Sequence, residues 1–328
     1  MRLERLALFA LDASRDLAEA VSAALGEPLA RHEERTFEDG EHKARPLASV
    51  RGVDVYILSS LHGEASRTVN DKLVRLLFFI AALKDAAAAR ITAVVPFLAY
   101  ARKDRRSKSR DPVTSRYVAM LFETVGVDCV VTIDVHNLAA YQNAFRCRTE
   151  HLEARPLFVA HFARQLQGRE AIVVSPDAGG IKRAEAFRRS LEAALGEGVG
   201  TGFVEKYRSE GRVSGDRFAG EVRGRVAIII DDLISAGTTI ARAARACRDA
   251  GAIAVYAAAT HAVFAQAVGA TLGPAPVDEV VITDSIPARD ALEPALARKL
   301  VRLSIAPMLG EAIRRLHEDG SLVELTER

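Results

Sequence analysis

Tryptophan is absent from this chain of 328 residues, and proline and glycine are sparse, with 11 and 22 copies. Hydrophobic residues make up 49% of the chain and charged residues 27%. This is the balance of a packed globular protein. The composition therefore excludes a globally disordered or fibrous chain.

An excess of positive charge is also missing, since 45 Lys and Arg oppose 43 Asp and Glu and leave a net charge of +2. A general nucleic-acid binder depends on a surplus of positive charge. We therefore expect no nucleic-acid partner, and any basic site must be local.

Cysteine is rare: Cys129, Cys147 and Cys247 are odd in number and lack the spacing of metal ligands. We expect reduced thiols and a cytoplasmic location. The apolar stretch Leu6 to Leu11 is too short for a signal peptide, and no apolar run reaches the roughly 18 residues of a membrane span. The sequence predicts no membrane partner.

The chain is long enough for two domains, because single hydrophobic cores stop growing near 250–300 residues. Short β-branched runs alternate with Ala- and Leu-rich segments of helical periodicity, a pattern typical of α/β folds with parallel sheets. We expect one domain over residues 1–147, joined by a C-terminal helix over 307–328, and a second over 148–306. The first helix is predicted to begin after the N-cap Ser14 and to end at Gly26.

The most informative segment runs from Ala227 to Ile240. An apolar strand ends in the acidic pair Asp231 and Asp232, and a turn of small and hydroxyl residues then opens a helix. Ligands of α/β sheets bind beyond the carboxyl ends of the strands, and helix N-termini favour phosphate. A pentose phosphate suits this arrangement; the alternative is an acidic pair that merely ends a strand and caps a helix.

A second loop follows the strand Ile172 to Ser175. Paired glycines let a backbone approach an anion, and Asp177 beside them is a candidate Mg²⁺ ligand. A tight turn before a helix, with Lys182 and Arg183 in solvent, is the alternative.

Two more segments follow strands in the first half. His136 lies two residues beyond Asp134 and is a candidate metal or phosphate ligand, although histidines are more often packing or surface residues. The segment Tyr100 to Pro112 carries six Arg and Lys against two Asp. It is either a solvated charge run or a funnel for a polyphosphate.

Taken together, these segments resemble the ribose-phosphate diphosphokinase family, also called phosphoribosyl-pyrophosphate (PRPP) synthetases. The resemblance runs in the family's order along nearly the whole chain, through Phe37 to Glu41 (FEDGE), Tyr100 to Arg106 (YARKDRR), Asp134 to Asn137 (DVHN), Ser175 to Gly180 (SPDAGG) and Asp231 to Thr239 (DDLISAGTT). It implies two tandem type I phosphoribosyltransferase-like domains. It also implies transfer of pyrophosphate from Mg-ATP to the C1 hydroxyl of ribose 5-phosphate, in a homo-oligomer that is a hexamer or a dimer.

The resemblance further implies a role for each matching residue. ATP would be bound by Phe37, Asp39, Glu41, Arg102, Lys103 and Asp104, and Mg²⁺ by His136 and Asp177. Ribose 5-phosphate would be bound by Asp231, Asp232, Ser235, Ala236, Gly237, Thr238 and Thr239. Lys206 and Arg208, with His136, would act in catalysis.

The chain departs from the family at Lys103, where most members have Gln, and at Ser235 and Ala236, where many have an acid and then Thr. Two other functions stay open at this point. A phosphoribosyltransferase would use the same acidic loop but needs only one such domain. A non-catalytic regulatory homologue would be expected to lose His136, Asp177 or Lys206, and all three are present.

Overall fold

The computed structural model describes residues 3–11, 14–209, 212–287 and 292–326, and for residues 205–209, 212–217 and 326 it describes the backbone only. The chain divides into two units. The first comprises the residues up to Glu153, together with Ser285–Pro287 and the C-terminal residues from Ser304. The second comprises Ala154–Asp284 and the residues that follow Pro287, as far as Leu303.

The first unit is built on a parallel sheet of order β1-β4-β5-β6-β7, accompanied by the antiparallel hairpin β2-β3. The strands are β1 (Leu6–Ala10), β2 (His32–Thr36), β3 (His42–Pro46), β4 (Asp54–Leu58), β5 (Arg90–Val94), β6 (Cys129–Ile133) and β7 (Arg148–Leu152). The helices are α1 (Arg15–Leu25), α2 (Val69–Asp85), α3 (Thr114–Thr124), α4 (Leu138–Ala144), α10 (Ala306–His317) and α11 (Val323–Thr326).

The second unit contains a sheet of order β10-β9-β8-β11-β12-β13-β14, parallel except for the pair β9 and β10. Its strands are β8 (Ala171–Ser175), β9 (Gly200–Ser209), β10 (Arg212–Ala219), β11 (Val226–Leu233), β12 (Ala254–His261), β13 (Glu279–Thr283) and β14 (Leu300–Leu303). Its helices are α5 (Arg155–Leu166), α6 (Ile181–Leu195), α7 (Thr238–Asp249), α8 (Val268–Leu272) and α9 (Pro294–Ala297). The expected α/β class with mainly parallel sheets is confirmed. Among the described helices, none is long and apolar enough to cross a membrane.

The unit boundary differs from the expected one by a single strand. We expected the first domain to end at residue 147, whereas the first unit extends to Glu153. The reason is β7, which pairs in parallel with β6 and so completes the first sheet. Sequence periodicity does not show which sheet a strand joins, because the partner is distant along the chain.

At the first helix, one of the two predicted end signals acts as expected and the other does not. Gly26 takes the left-handed conformation at the C-terminus of α1, with φ +81°, as expected. Ser14 occupies the N-cap position, but its side chain makes no capping hydrogen bond. Its Oγ instead accepts the N–H of Ser60 at 2.8 Å, a contact across 46 residues of sequence.

The C-terminal segment packs on α1, but it does not form the one helix over 307–328 that we expected. Helix α10 ends at His317, because Asp319 has a positive φ of 56° and Gly320 follows it. Val323–Thr326 then form a second, short helix, α11. Gly310 allows α10 to approach α1 closely, since a Cβ there would lie 3.1 Å from Ala24 Cβ.

A fully buried carboxylate ties this helix to the first sheet. Asp54 accepts two hydrogen bonds from Arg90, at 2.8 and 2.5 Å, and one from Tyr56 at 3.1 Å. His317 Nδ1, the last residue of α10, lies 2.8 Å from Asp54 Oδ2, and Arg90 also donates to the carbonyl of Leu316. The cluster therefore joins β4, β5 and α10.

We expect Asp54→Asn to lower the free energy of unfolding by about 3 kcal/mol, because removing one partner of a buried ion pair leaves an uncompensated charge. Urea unfolding followed by circular dichroism measures the change. Asp319→Asn is the matched control: Asp319 also pairs with Arg90, but its side chain is 63% exposed. A surface pair contributes little, so the control should change stability by less than about 1 kcal/mol. Equal losses in both variants would contradict this account.

Candidate functional site

The acidic pair lies at the carboxyl edge of the second sheet. Strand β11 pairs with β8 only as far as Ile229, whereas its pairing with β12 continues to Leu233. Asp231 and Asp232 are therefore carried on the part of β11 that extends past the end of β8. Asp232 is buried, and its N–H donates to Asp231 Oδ1 at 2.9 Å.

Arg183 joins this pair, which sequence reasoning missed. Its Nη1 lies 3.6 Å from Asp231 Oδ1 and 3.7 Å from Asp232 Oδ1. Burial raises the pKa of Asp231 to about 7, the neighbouring Asp232 carboxyl adds to this rise, and Arg183 opposes it. The sequence contained a signal for this contact. Arg183 lies in the first turn of the helix that follows the Asp177 loop, and that loop follows β8, the strand next to β11.

The turn after the acidic pair is shaped by backbone contacts. The N–H of Ile234 donates to His261 and that of Ala265 donates to Ser235. Gly237 then takes φ +77° at the N-terminus of α7. A Cβ at this position would lie 2.6 Å from Leu272 Cγ, so only glycine fits without a shift. The turn, with Ser235, Ala236, Thr238 and Thr239, leads directly to a helix N-terminus that favours an anion.

The Asp177 loop follows β8, the parallel neighbour of β11, so both loops leave the same edge of one sheet. Asp177 Oδ1 accepts the N–H groups of Gly179 and Gly180 at 2.9 and 3.2 Å. Ser175 Oγ donates to the Asp177 carbonyl at 2.6 Å. These bonds fix the orientation of the carboxylate.

In the first unit, Phe37, Asp39 and Glu41 lie in the exposed loop of the β2–β3 hairpin. The N–H of Phe37 donates to the Glu41 carbonyl at 2.8 Å, and Asp39 Oδ1 accepts the N–H of Glu41 at 3.0 Å. The guanidinium of Arg35 lies 4.8 Å from the centre of the Phe37 ring. The loop is thus a closed turn that holds the aromatic ring at the surface.

The segments after β5 and β6 meet at the carboxyl edge of the first sheet, where these strands are neighbours. Asn137 Nδ2 donates to Asp104 Oδ2 at 2.6 Å, and Asn137 Oδ1 accepts the N–H of Ala140 at the start of α4. Lys103 Nζ pairs with Asp111 at 2.9 Å. His136 is exposed beside Asn137. Asn137 was part of the sequence motif, but its contact with Asp104 required the fold.

The side chains of Lys206 and Arg208 lie outside the described residues. Their backbone belongs to β9, where Lys206 is opposite Asp216 and Arg208 is opposite Val213 of β10. The backbone around Arg208 therefore belongs to an antiparallel strand pair, near the end where β9 leads to β10.

The two expected metal ligands fall on different units, His136 on the first and Asp177 on the second. Within the part of the chain that the structure describes, no group of three or more His, Cys, Asp and Glu side chains could hold a metal ion. Magnesium commonly takes one or two protein ligands and fills its shell with water and phosphate oxygens.

Comparisons with known proteins agree along the whole chain. Residues 6–126 match the model of the N-terminal domain of ribose phosphate pyrophosphokinase, and residues 216–327 match that of the phosphoribosyl synthetase-associated domain. The chain is 37% identical over 331 residues to ribose-phosphate pyrophosphokinase 1 of Streptococcus agalactiae serotype III (strain NEM316), covering 100% of this chain and 98% of that one. Ribose-phosphate pyrophosphokinase of Listeria ivanovii is 38% identical over 325 residues, covering 98% of both.

A solved structure gives the same result. The crystal structure of phosphoribosylpyrophosphate synthetase from Mycobacterium smegmatis matches with a TM-score of 0.87 and 35% identity, covering 97% of this chain and 100% of that one. The expected fold of two tandem phosphoribosyltransferase-like domains is confirmed by this match.

We expect Asp231→Asn to raise the stability of the ligand-free protein at pH 8. Because the folded-state pKa of about 7 lies above the ordinary 3.8, the wild type loses stability as the pH rises from about 4 to about 7, and the loss is complete above pH 7. Asn stays neutral, so the variant should gain about 2 kcal/mol at pH 8 and less at pH 5.

Thermal and urea unfolding at the two pH values measure this gain. Asp249→Asn, which removes an exposed carboxylate from α7 of the same unit, is the control and should show no comparable gain. A variant that is less stable than the wild type at pH 8 would refute the conclusion that ionised Asp231 destabilises the ligand-free protein.

Proposed function

The chain belongs to the ribose-phosphate pyrophosphokinase family, and we propose that it carries out this family's reaction with the residues described above. The reaction transfers the pyrophosphoryl group of ATP to the C1 hydroxyl of ribose 5-phosphate and gives PRPP and AMP. The observation that carries the proposal is the acidic pair, with Asp232 buried, followed by the Gly237 turn, in a chain that matches these enzymes from end to end. Nothing observed favours a phosphoribosyltransferase or a non-catalytic homologue.

Ribose 5-phosphate binds at the carboxyl edge of the second sheet. Asp231 and Asp232 accept hydrogen bonds from ribose hydroxyls, and charge-assisted bonds of this kind are the stronger ones. The 5-phosphate lies in the turn Ser235 to Thr239, where the N–H groups of the first turn of α7 donate to it. Arg183 compensates part of the negative charge when no sugar is bound.

ATP binds through the first unit. The Phe37 ring packs against adenine, and Asp39 and Glu41 accept hydrogen bonds from its edge. Arg102 and Asp104, in the loop after β5, also contact the nucleotide. Lys103 differs from the Gln found in most members in carrying a charge, and its ammonium group is paired with Asp111.

Magnesium is the metal cofactor that we propose, held by His136 and Asp177. The carboxylate of Asp177 is the better fit, because magnesium prefers oxygen ligands, and imidazole is a less usual one. When bound, the ion would neutralise negative charge on the nucleotide phosphates. Asp177 is prepared for this role, since its Oδ1 is fixed by two backbone N–H groups.

Catalysis then depends on positioning and on compensation of charge, because phosphoryl-type transfer requires no covalent intermediate with the protein. Lys206 and Arg208 carry the positive charge that contacts the transferring group. The acidic pair orients the sugar so that its C1 oxygen faces the β-phosphorus. A cytoplasmic location, expected from the cysteines, stays a prediction.

Assembly into a homo-oligomer is the second part of the proposal. Large apolar side chains are exposed on α2 and α3, which pack on the same core cluster and so lie on the same face of the first sheet. The exposed fractions are 44% for Val74, 60% for Phe78, 50% for Tyr117, 58% for Met120 and 47% for Leu121. Exposure on this scale is typical of a surface that binds another protein.

We expect sedimentation velocity to show a dimer or hexamer for the wild type and a smaller species for Phe78→Glu, because a buried charge would disfavour the contact. Ile253→Glu is the control, since Ile253 is similarly exposed, at 56%, but lies in the second unit. A wild type that is monomeric and fully active at the same concentration would contradict the assembly.

The function itself is tested by incubating the protein with ATP, Mg²⁺ and ribose 5-phosphate and by separating the products chromatographically. We expect AMP and PRPP in equal amounts and no turnover in excess chelator. Asp231→Asn should raise the KM for ribose 5-phosphate, whereas Asp249→Asn should not. Full turnover in chelator would refute the role of the metal. Pyrophosphate release from PRPP and a nucleobase, with no product formed from ATP and ribose 5-phosphate, would favour a phosphoribosyltransferase.

A further inference from the structure

Tyr100 holds an unusual backbone conformation directly before the segment Arg102 to Asp104. Its φ is +63°, a value that is common for glycine but rare and unfavourable for a bulky residue. Such a conformation persists only where the surroundings enforce it. Tyr100 also accepts a hydrogen bond from the N–H of Lys103 at 3.0 Å, so its conformation sets the start of the turn that carries Arg102.

Asn70 supplies one of the contacts that hold Tyr100. The Tyr100 hydroxyl donates to Asn70 Oδ1. Asn70 lies in the first turn of α2, 30 residues earlier in the chain. The contact thus connects the start of α2 with the loop after β5.

The first turn of α2 is itself fixed. Thr68 and Asp71 form a capping box, in which Thr68 Oγ1 accepts the N–H of Asp71 and Asp71 Oδ2 accepts the N–H of Thr68 at 2.7 Å. One residue further, the buried Lys72 donates to His62 Nε2 at 3.0 Å and pairs with Glu64 at 3.2 Å. Burial lowers the pKa of His62 to about 4, so its ring is neutral and accepts from Lys72.

The other end of the segment is held by Asn137, which donates to Asp104 Oδ2 at 2.6 Å. Two asparagines therefore fix the segment 100–104 from opposite ends. They differ in kind, because Asn137 hydrogen-bonds to Asp104, which is assigned to ATP, whereas Asn70 hydrogen-bonds to Tyr100, which is not. An effect of Asn70 on ATP would therefore pass through Tyr100.

We propose that Asn70 is a positioning residue for ATP, which holds Tyr100 in its left-handed conformation and thereby presents Arg102 and Asp104 to the nucleotide. This inference rests on the proposed function, in which Arg102 and Asp104 bind ATP. It adds a residue that none of the sequence motifs singled out for this role.

The test is a double-mutant cycle on steady-state kinetics. We expect Asn70→Ala and Tyr100→Phe each to raise the KM for ATP about 5-fold, the effect of one lost hydrogen bond. The KM for ribose 5-phosphate should stay unchanged, since its residues lie in the other unit. The double variant should be no worse than either single one. Asn70→Asp should behave like the wild type, because a carboxylate oxygen accepts the same phenol proton.

Two further variants complete the design. Asn143→Ala removes an exposed asparagine on α4, whose amide donates to the Ala139 carbonyl of its own helix, and it should leave every constant unchanged. Arg102→Ala tests the proposed function separately. If it raises the KM for ATP and Asn70→Ala does not, the positioning role is wrong and the ATP assignment stands. If neither variant changes this KM, both are wrong. Additive effects of Asn70→Ala and Tyr100→Phe would also overturn the positioning role.

Discussion

Parallel strands impose one constraint on which every candidate functional segment of this protein depends. Neighbouring parallel strands point the same way, so their connections must cross back over the sheet and all loops after the strands begin at one edge. In the first unit this brings together the loops after β4, β5 and β6. In the second unit it brings together the loops after β8 and β11. Residues far apart in the chain thereby reach contact distance of one another, as Asn137 does with Asp104, 33 positions away, and Arg183 with Asp231.

The chain buries carboxylates in two contrasting ways. Asp54, at the start of β4, accepts hydrogen bonds from Arg90 and Tyr56 and lies beside His317, so its charge is compensated and the cluster stabilises the fold. Asp231 and Asp232, at the end of β11, have each other as neighbours and Arg183 at 3.6 to 3.7 Å. A like-charged buried pair costs stability, and proteins retain such pairs mainly where a ligand uses them.

The departures from the family pattern have local explanations. Lys103 pairs with Asp111, which also accepts the N–H groups of Ser107 and Lys108, so this ion pair closes the basic loop. Ser235 contributes its carbonyl to the N–H of Ala265, a backbone contact that any residue at this position could make. The turn that leads to Gly237 therefore does not need the acid that many family members carry there.

The sequence by itself determined the α/β class, the left-handed glycine that ends α1 and the motifs on the loops after the strands, because each depends on residues close together in the chain. The tertiary structure decided what depends on distant partners. Ser14 pairs with Ser60 rather than capping its helix, β7 joins the first sheet, Arg183 joins the acidic pair, and Asn70 reaches Tyr100. Local periodicity carries no information on strand order, and strand order decides which of these side chains meet.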